Sequence, residues 1–416
     1  MRQARQTGMS LMRRRSSRLS HVAILMVLLF AAVGCAQSPA QPSSLPKASV
    51  QGVPAARLAR LARCVDITRW FWAVGDAMPQ QPLPVHFATY MGDGDLTLIH
   101  RLGFRCVRLS IEPTLLFQKA TPTAVDTATL GYIDTAVKRL MAHDLAVIVD
   151  MHDDHPEKPV EHDPDYAAGF ALFWQVLARH FSGWNPEMVF LEALNEPVYQ
   201  LDPRQWLPMQ QHLLSVMRAA APRQTLIATG PLWSSVDGLL VVKPVAVHNV
   251  VYTFHFYEPT TFTHEGAEWW VNGLDRYMTN LPYPSGTRQC TAAVARFTNA
   301  DVRASALAYC RANWNSAKVD GLIARAAQWS QTNRVPIMAG EFGVYCKHAP
   351  PADRLRWFRD VRTALQRHGI GWTLWGYDDC YGLGRSLDAQ GHIVLDWGVV
   401  QALGLNAVKG KARAQV

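Results

Sequence analysis

Two stretches place an acid where a buried strand runs out. The first is Phe190-Leu191-Glu192-Ala193-Leu194-Asn195-Glu196-Pro197, the second Pro336-Ile337-Met338-Ala339-Gly340-Glu341-Phe342-Gly343. Each begins as an apolar run that suits a strand covered on both faces. Pro197 cannot donate to a sheet ladder, so the first strand should stop near Asn195 and Glu196. Gly340 and Gly343 allow a tight turn or a close approach beside Glu341. Two carboxyls across a small gap can divide one reaction: one protonates a leaving oxygen while the other attacks the carbon it departs from. Glu196 could instead cap the next helix, but a matching acid on a second such strand favours a shared site.

Other expected strand ends carry polar or aromatic groups. Arg108 lies in Val107-Arg108-Leu109-Ser110, His152 in Val149-Asp150-Met151-His152, His255 and Tyr257 in Thr253-Phe254-His255-Phe256-Tyr257, and Trp375 in Trp372-Thr373-Leu374-Trp375-Gly376-Tyr377. Each has a plain structural reading: Arg108 could satisfy a buried acid such as Glu192, Trp375 could be core, and a lone His is often only hydrogen-bonded. Their common position at one end of consecutive strands is what points to a site. His152, Asp153, Asp154 and His155 together could bind zinc or iron. A sugar-binding loop would need no ion, and neither metal nor cofactor is expected. No Gly-x-Ser-x-Gly elbow follows any strand, which weakens a Ser-His-Asp reading.

Positioning these groups requires eight strands: Cys64 to Phe71, Cys106 to Ile111, Ala146 to His152, Met188 to Glu196, Leu226 to Gly230, Val250 to Tyr257, Val335 to Gly343 and Gly371 to Tyr377. Helical patterns separate most of them: Asp95 to Leu102, Ala128 to His143, Tyr166 to Phe181, Arg204 to Ala220, about Val302 to Thr332, and Asp353 to His368. A short helix is expected after Trp397, and the connection Pro231 to Val241 is weakly helical. This alternation is the signature of an α/β fold, a (β/α)8 TIM barrel with long active-face loops, over residues 61–405. A C-terminal tail, 406–416, follows. The excursion Glu258 to Asn299 carries Phe262, Trp269, Trp270, Tyr277 and Tyr283, and a loop of that length is usually functional. Trp269 and Trp270 are candidates to stack on a sugar ring or, equally, to pack the loop down.

Six of the 41 Lys and Arg fall in residues 1–34, which hold no acid; the rest of the chain carries 35 bases against 33 acids. No basic field of the kind nucleic acid requires remains. That Arg-rich start and the apolar run Val22 to Phe30 read as a signal peptide, too short for a permanent span. Ala32-Val33-Gly34-Cys35 is similar to a lipoprotein cleavage box, although its Ala32 stands where Leu is usual. Cleavage after Ala36 is the alternative. Lipid on Cys35 would be the one membrane contact of an exported protein, periplasmic, outer-membrane-anchored or secreted. Residues 35–60 read as a flexible tether. Six further cysteines favour disulfides in such a protein. Cys346 and Cys380 each lie five residues beyond Glu341 and Trp375, which leave neighbouring strands, so they are expected to pair. Cys290 with Cys310 would close a local loop, and Cys64 and Cys106 either pair or stay as buried thiols.

From residue 64 to 400 the sequence resembles glycoside hydrolase family 5, the cellulase-like retaining enzymes. Asn195-Glu196-Pro197 and Gly340-Glu341-Phe342-Gly343 match its motifs, as do Arg108, His152, His255, Tyr257 and Trp375. The resemblance implies Glu196 as acid/base, Glu341 as nucleophile, Asn195 on the sugar 2-hydroxyl, and Arg108, His152, His255, Tyr257 and Trp375 as substrate-site residues. It implies a monomeric hydrolase of a β-linked polysaccharide or oligosaccharide, first a β-glucan, with β-mannan or exo-β-1,3-glucan as alternatives. An inactive barrel that binds envelope polysaccharide is the reading of another class, and the two acids argue against it.

Overall fold

The structure, a computed structural model, describes residues 52–74, 82–155, 158–269, 273–286, 288–388 and 392–406. The expected signal peptide, Cys35 and Trp270 lie outside them. Eight parallel strands close into a barrel in chain order: β1 (Arg63–Phe71), β2 (Cys106–Ile111), β3 (Ala146–Met151), β4 (Val189–Glu192), β5 (Thr225–Ala228), β6 (Val250–Phe256), β7 (Ile337–Phe342) and β8 (Gly371–Leu374). Most strand residues are buried, as expected for strands with packed side chains inside and helices outside. A two-stranded ribbon, β9 (Gly384–Leu387) and β10 (Ile393–Leu395), follows β8.

The helices start where side chains can take up their free amides. Asp126 accepts from Thr129 N–H at 2.7 Å and starts the helix Thr127–Ala142. The single helix expected over Val302 to Thr332 is two, Ala300–Arg311 and Ser316–Asn333. The cause is Asn315, which accepts from the amides of Ala317 and Lys318 and caps a new helix after Asn313 enters the left-handed region. Residues 55–60, read above as the end of a tether, form a helix. Its Arg57 is buried and bonds Glu187, the Arg223 carbonyl and Thr225 at the start of β5.

Alternate strand residues fill the barrel. Cys64, Cys106, Ala146, Ile148, Phe190, Ile227, Val251 and Met338 make an apolar layer, stopped by Val53 and Leu61. Cys64 and Cys106 lie opposite each other in the β1–β2 register and are bridged, with Cα atoms 4.6 Å apart. The open alternative thus resolves to a third disulfide. Cys290–Cys310 and Cys346–Cys380 are the other two, with Cα separations of 5.7 and 5.3 Å.

β4 ends at Glu192, four residues before the expected stop, and β8 at Leu374, three before. Asn195 and Glu196 therefore stand on a loop, although Asn195 N–H still bonds the Met151 carbonyl at 2.9 Å. β7 carries a bulge. Phe254 pairs with Ala339, the next β6 residue His255 with Glu341, and Gly340 is the extra residue. Plain alternation from Met338 would turn Glu341 toward the helices, and the bulge re-aims it into the barrel mouth. A Cβ at Gly340 would lie 2.2 Å from Thr253 Oγ1 and 3.1 Å from His255 Nε2. Gly340→Ala is therefore expected to cost about 1–3 kcal/mol of stability and to displace Glu341. A thermal melt alongside initial rates checks this, and a variant with unchanged melting and turnover would refute the bulge argument.

Candidate active site

Above the apolar layer the barrel turns ionic. Arg108 on β2 is fully buried and reaches four carboxyls. Its Nε and Nη2 donate to the two oxygens of Glu192 at 2.9 and 2.8 Å, Nη1 to Asp66 at 3.1 Å and Glu341 at 2.6 Å, and Nη2 lies 3.0 Å from Asp150. Nη2 also donates to Asn195 Oδ1 at 2.9 Å. One cation cannot balance four buried anions, so protons must. Burial pushes Asp66 well above the usual carboxylate range, raises Glu192, and lifts Asp150 to about 6.

Asp150 in turn fixes His152. Burial, then Arg108, holds that imidazole well below its ordinary pKa, so it is neutral. Nδ1–H donates to Asp150 Oδ2 at 2.7 Å, leaving Nε2 to accept from Asn195 Nδ2 at 3.2 Å. The Asn195 amide is thereby oriented by two partners, with one N–H left over. Both His152 nitrogens are engaged, contrary to the metal reading of residues 152–155. Among the described residues, the group close enough to hold a cation is Glu196, His255 and Glu341.

Those three residues form the heart of the mouth. Their ligand atoms lie within 4.8 Å of one another. Neutral His255, its pKa lowered by burial, donates from Nδ1 to Glu196 Oε1 at 2.7 Å and lies 3.4 Å from Glu341 Oε2. Tyr257 donates to Glu341 Oε2 at 2.9 Å. Burial raises both carboxyls, Glu196 and Glu341 each to about 7. Within the pair the proton belongs to Glu196. Glu341 accepts a charge-assisted bond from Arg108 and a hydroxyl from Tyr257, whereas Glu196, among the described residues, has His255 alone, through Oε1. Its Oε2 is thus free to carry the proton, and 17% of the side chain stays open. Glu196 sits at φ 43°, in the left-handed region, within a turn that Tyr199 repeats at φ 42°.

Aromatic rings wall the mouth. Trp375, 8% exposed, stacks on His152 with centroids 5.0 Å apart, and Trp72 meets both rings edge-on. Tyr345 and Tyr381 pack with Trp375. Trp269, 52% exposed, stands edge-on against both tyrosines, so it borders the site from the long excursion. The structure therefore brings together Arg108, His152, Asn195, Glu196, His255, Tyr257, Glu341, Trp375 and Trp269. Asp66, Trp72, Lys158, Tyr345 and Tyr381 were missed by the sequence reading. Asp66 had a signal, two residues past Cys64 on an inward face, and Trp72 directly follows β1 as Trp375 follows β8. Lys158 had none.

A closed (β/α)8 barrel with two carboxyls paired at its mouth has the build of a glycoside hydrolase. The Cellulase (glycosyl hydrolase family 5) profile matches residues 75–380, and the chain belongs to that family. Endoglucanase 3 of Fibrobacter succinogenes is 25% identical over 308 residues, which cover 69% of this chain and 46% of that protein. Endoglucanase C of Acetivibrio thermocellus is 24% identical over 304 residues, 70% of this chain and 85% of that one. Thermotoga maritima Cel5A, solved with cellobiose and with mannotriose, superposes with a TM-score of 0.64 at 22% identity, covering 83% of this chain and 98% of its own.

The Arg108 cluster makes a direct prediction. Arg108→Lys keeps a charge but loses the two-pronged grip on Glu192 and the simultaneous reach to Asp66, Glu341 and Asn195. Breaking a buried ion cluster costs about 3–5 kcal/mol. Calorimetry should show a large fall in melting temperature; an unchanged melt would refute the assignment of Arg108 as the brace of the mouth.

Proposed function

We propose that the chain is a retaining hydrolase of β-linked glucan, of endoglucanase type, working by double displacement. The observation that carries this is the Glu196–Glu341 pair, within 4.8 Å and unequal in hydrogen bonding. Retaining glycosidases keep their carboxyls about 5–5.5 Å apart, and inverting ones about 6.5–9.5 Å to admit a water. Ionised Glu341 attacks the anomeric carbon, and Glu196 Oε2 gives its proton to the departing glycosidic oxygen. The glycosyl–Glu341 ester has no charge, so Glu196, now deprotonated, stays ionised. It takes a proton from water, whose oxygen attacks the same carbon and releases Glu341. The free N–H of Asn195 is set for the neighbouring hydroxyl. Trp375 serves as the platform for the reacting ring. Ionised Glu341 favours the positive charge that develops on that ring.

The endoglucanase relatives support a β-glucan. A mannotriose complex of a structurally similar protein makes β-mannan the second reading. Export, with lipid on Cys35, and a monomeric state belong to the same proposal.

Glu196→Ala and Glu341→Ala should each lower turnover by orders of magnitude without unfolding the chain. Azide should rescue the Glu341 variant and give an inverted product, and near-normal activity in either variant would end the assignment. In the wild type, kcat/KM needs Glu196 protonated, so it should fall as the pH rises through about 7. A flat profile from pH 6 to 9 would contradict that. Reducing-sugar release from a panel of glucans and mannans decides the substrate: release from mannan alone would overturn the glucan reading, and binding without release would favour the inactive binder.

A further inference from the structure

The loop after β3 contains Lys158, a lysine 3% exposed beside the turn that carries Glu196. Among the described residues its ammonium has two contacts, the carbonyls of Asp153 and, at 3.3 Å, Asn195. The second carbonyl belongs to the peptide bond that enters Glu196. Three residues on, in the short helix Pro159–His162, Glu161 accepts from the amides of Val198 and Tyr199 at 2.6 and 2.8 Å. Residues 158–161 thus grip both sides of a turn whose Glu196 and Tyr199 adopt positive φ. Such a turn persists where its surroundings over-determine it. A buried ammonium is expensive, and one held by carbonyls keeps its field available to a neighbouring anion.

We propose that Lys158 is a positioning residue for Glu196: it holds the turn through the Asn195 carbonyl and supplies the positive field in which Glu196 stays ionised once Glu341 is esterified. This rests on Glu196 as the acid/base. Glu196 is faced by Lys158 and Asp154 from the β3 loop, Asp150 from β3, Glu192 from β4, Arg108 from β2, His255 and Tyr257 from β6, Glu341 from β7 and Tyr381 from the β8 loop. Burial, and after it the carboxyls, drives a proton onto it. Arg108 is largely spent on its own four partners. Lys158 opposes them, and its pull on Glu196 is exceeded only by the effect of burial.

The test uses the full chain with Lys158→Met and Lys158→Gln, which remove the charge, and Lys158→Arg, which keeps it. Two probes are used: cellotetraose, whose poor leaving group needs the proton of Glu196, for kcat/KM, and 2,4-dinitrophenyl β-cellobioside, whose good leaving group makes ester hydrolysis the slow step, for kcat. In both uncharged variants the basic limb of kcat/KM should move up by about one pH unit, and kcat near neutrality should fall on the order of tenfold. In Lys158→Arg the limb should stay in place. A limb unmoved in the uncharged variants, or moved equally in all three, overturns the proposal. So does failure of both uncharged variants to fold, which would make Lys158 a structural brace. A limb that survives in Glu196→Ala would instead sink the acid/base reading itself.

Discussion

The guanidinium of Arg108 is shared by Asp66, Asp150, Glu192 and Glu341, all buried, and the geometry of the mouth follows from that shortage of positive charge. Its three nitrogens are committed in fixed directions. Each carboxyl that accepts from it is held in one orientation and biased toward ionisation, and whatever negative charge remains is relieved by protons. Asp66 and Glu192 absorb part of the excess. The rest falls on the pair that faces the opening, where Glu341 has the better donors and Glu196 keeps the proton. The same guanidinium, directly, and Asp150, through His152, set the orientation of the Asn195 amide. A stability argument alone would disfavour this arrangement, since buried ion clusters are often no better than apolar packing. Its use lies in assigning two chemically identical side chains to different roles.

The backbone contributes where regular structure ends. β4 stops at Glu192, and the loop beyond it turns through positive φ at Glu196, held by Lys158 on one side and Glu161 on the other. The bulge at Gly340 turns Glu341 from the helix side of β7 to the barrel side. Asp378, bonded to Thr68, Arg69 and Tyr90, fastens the segment after Trp375 to the end of β1. Regular strands provide rigidity, and three local departures from them provide aim.

The sequence was most readable where a periodic pattern met punctuation. The buried runs of β2, β3, β6 and β7 and the acids that follow β4 and lie within β7 could be located without coordinates, because continuous apolar runs and Pro or Gly breaks are written locally. The exact end of β4 and the bulge in β7 could not, since both depend on what the neighbouring strand offers. The split at Asn315 was legible in principle as a cap, but the apolar pattern continues across it. Asp66 and Asp150 read as ordinary strand residues until the barrel closes and gives them one cation in common. Lys158 lies in a run of charges that looks like a solvated loop, and nothing in the one-dimensional pattern says that this side chain turns inward.

The bridge between Cys64 and Cys106 bears on the order in which the molecule is assembled. Its sulfurs belong to the interior of the closed barrel, with both residues fully buried and the lower opening stopped by Val53 and Leu61. Thiol–disulfide exchange requires an attacking group to reach a sulfur. Once β8 has joined β1 and the helix Ala55–Arg60 is seated, nothing the size of an oxidant can do so. The bond must therefore form while the first two strands are still accessible, and the finished barrel then guards it against reduction. The oxidant meets the open chain rather than the closed barrel.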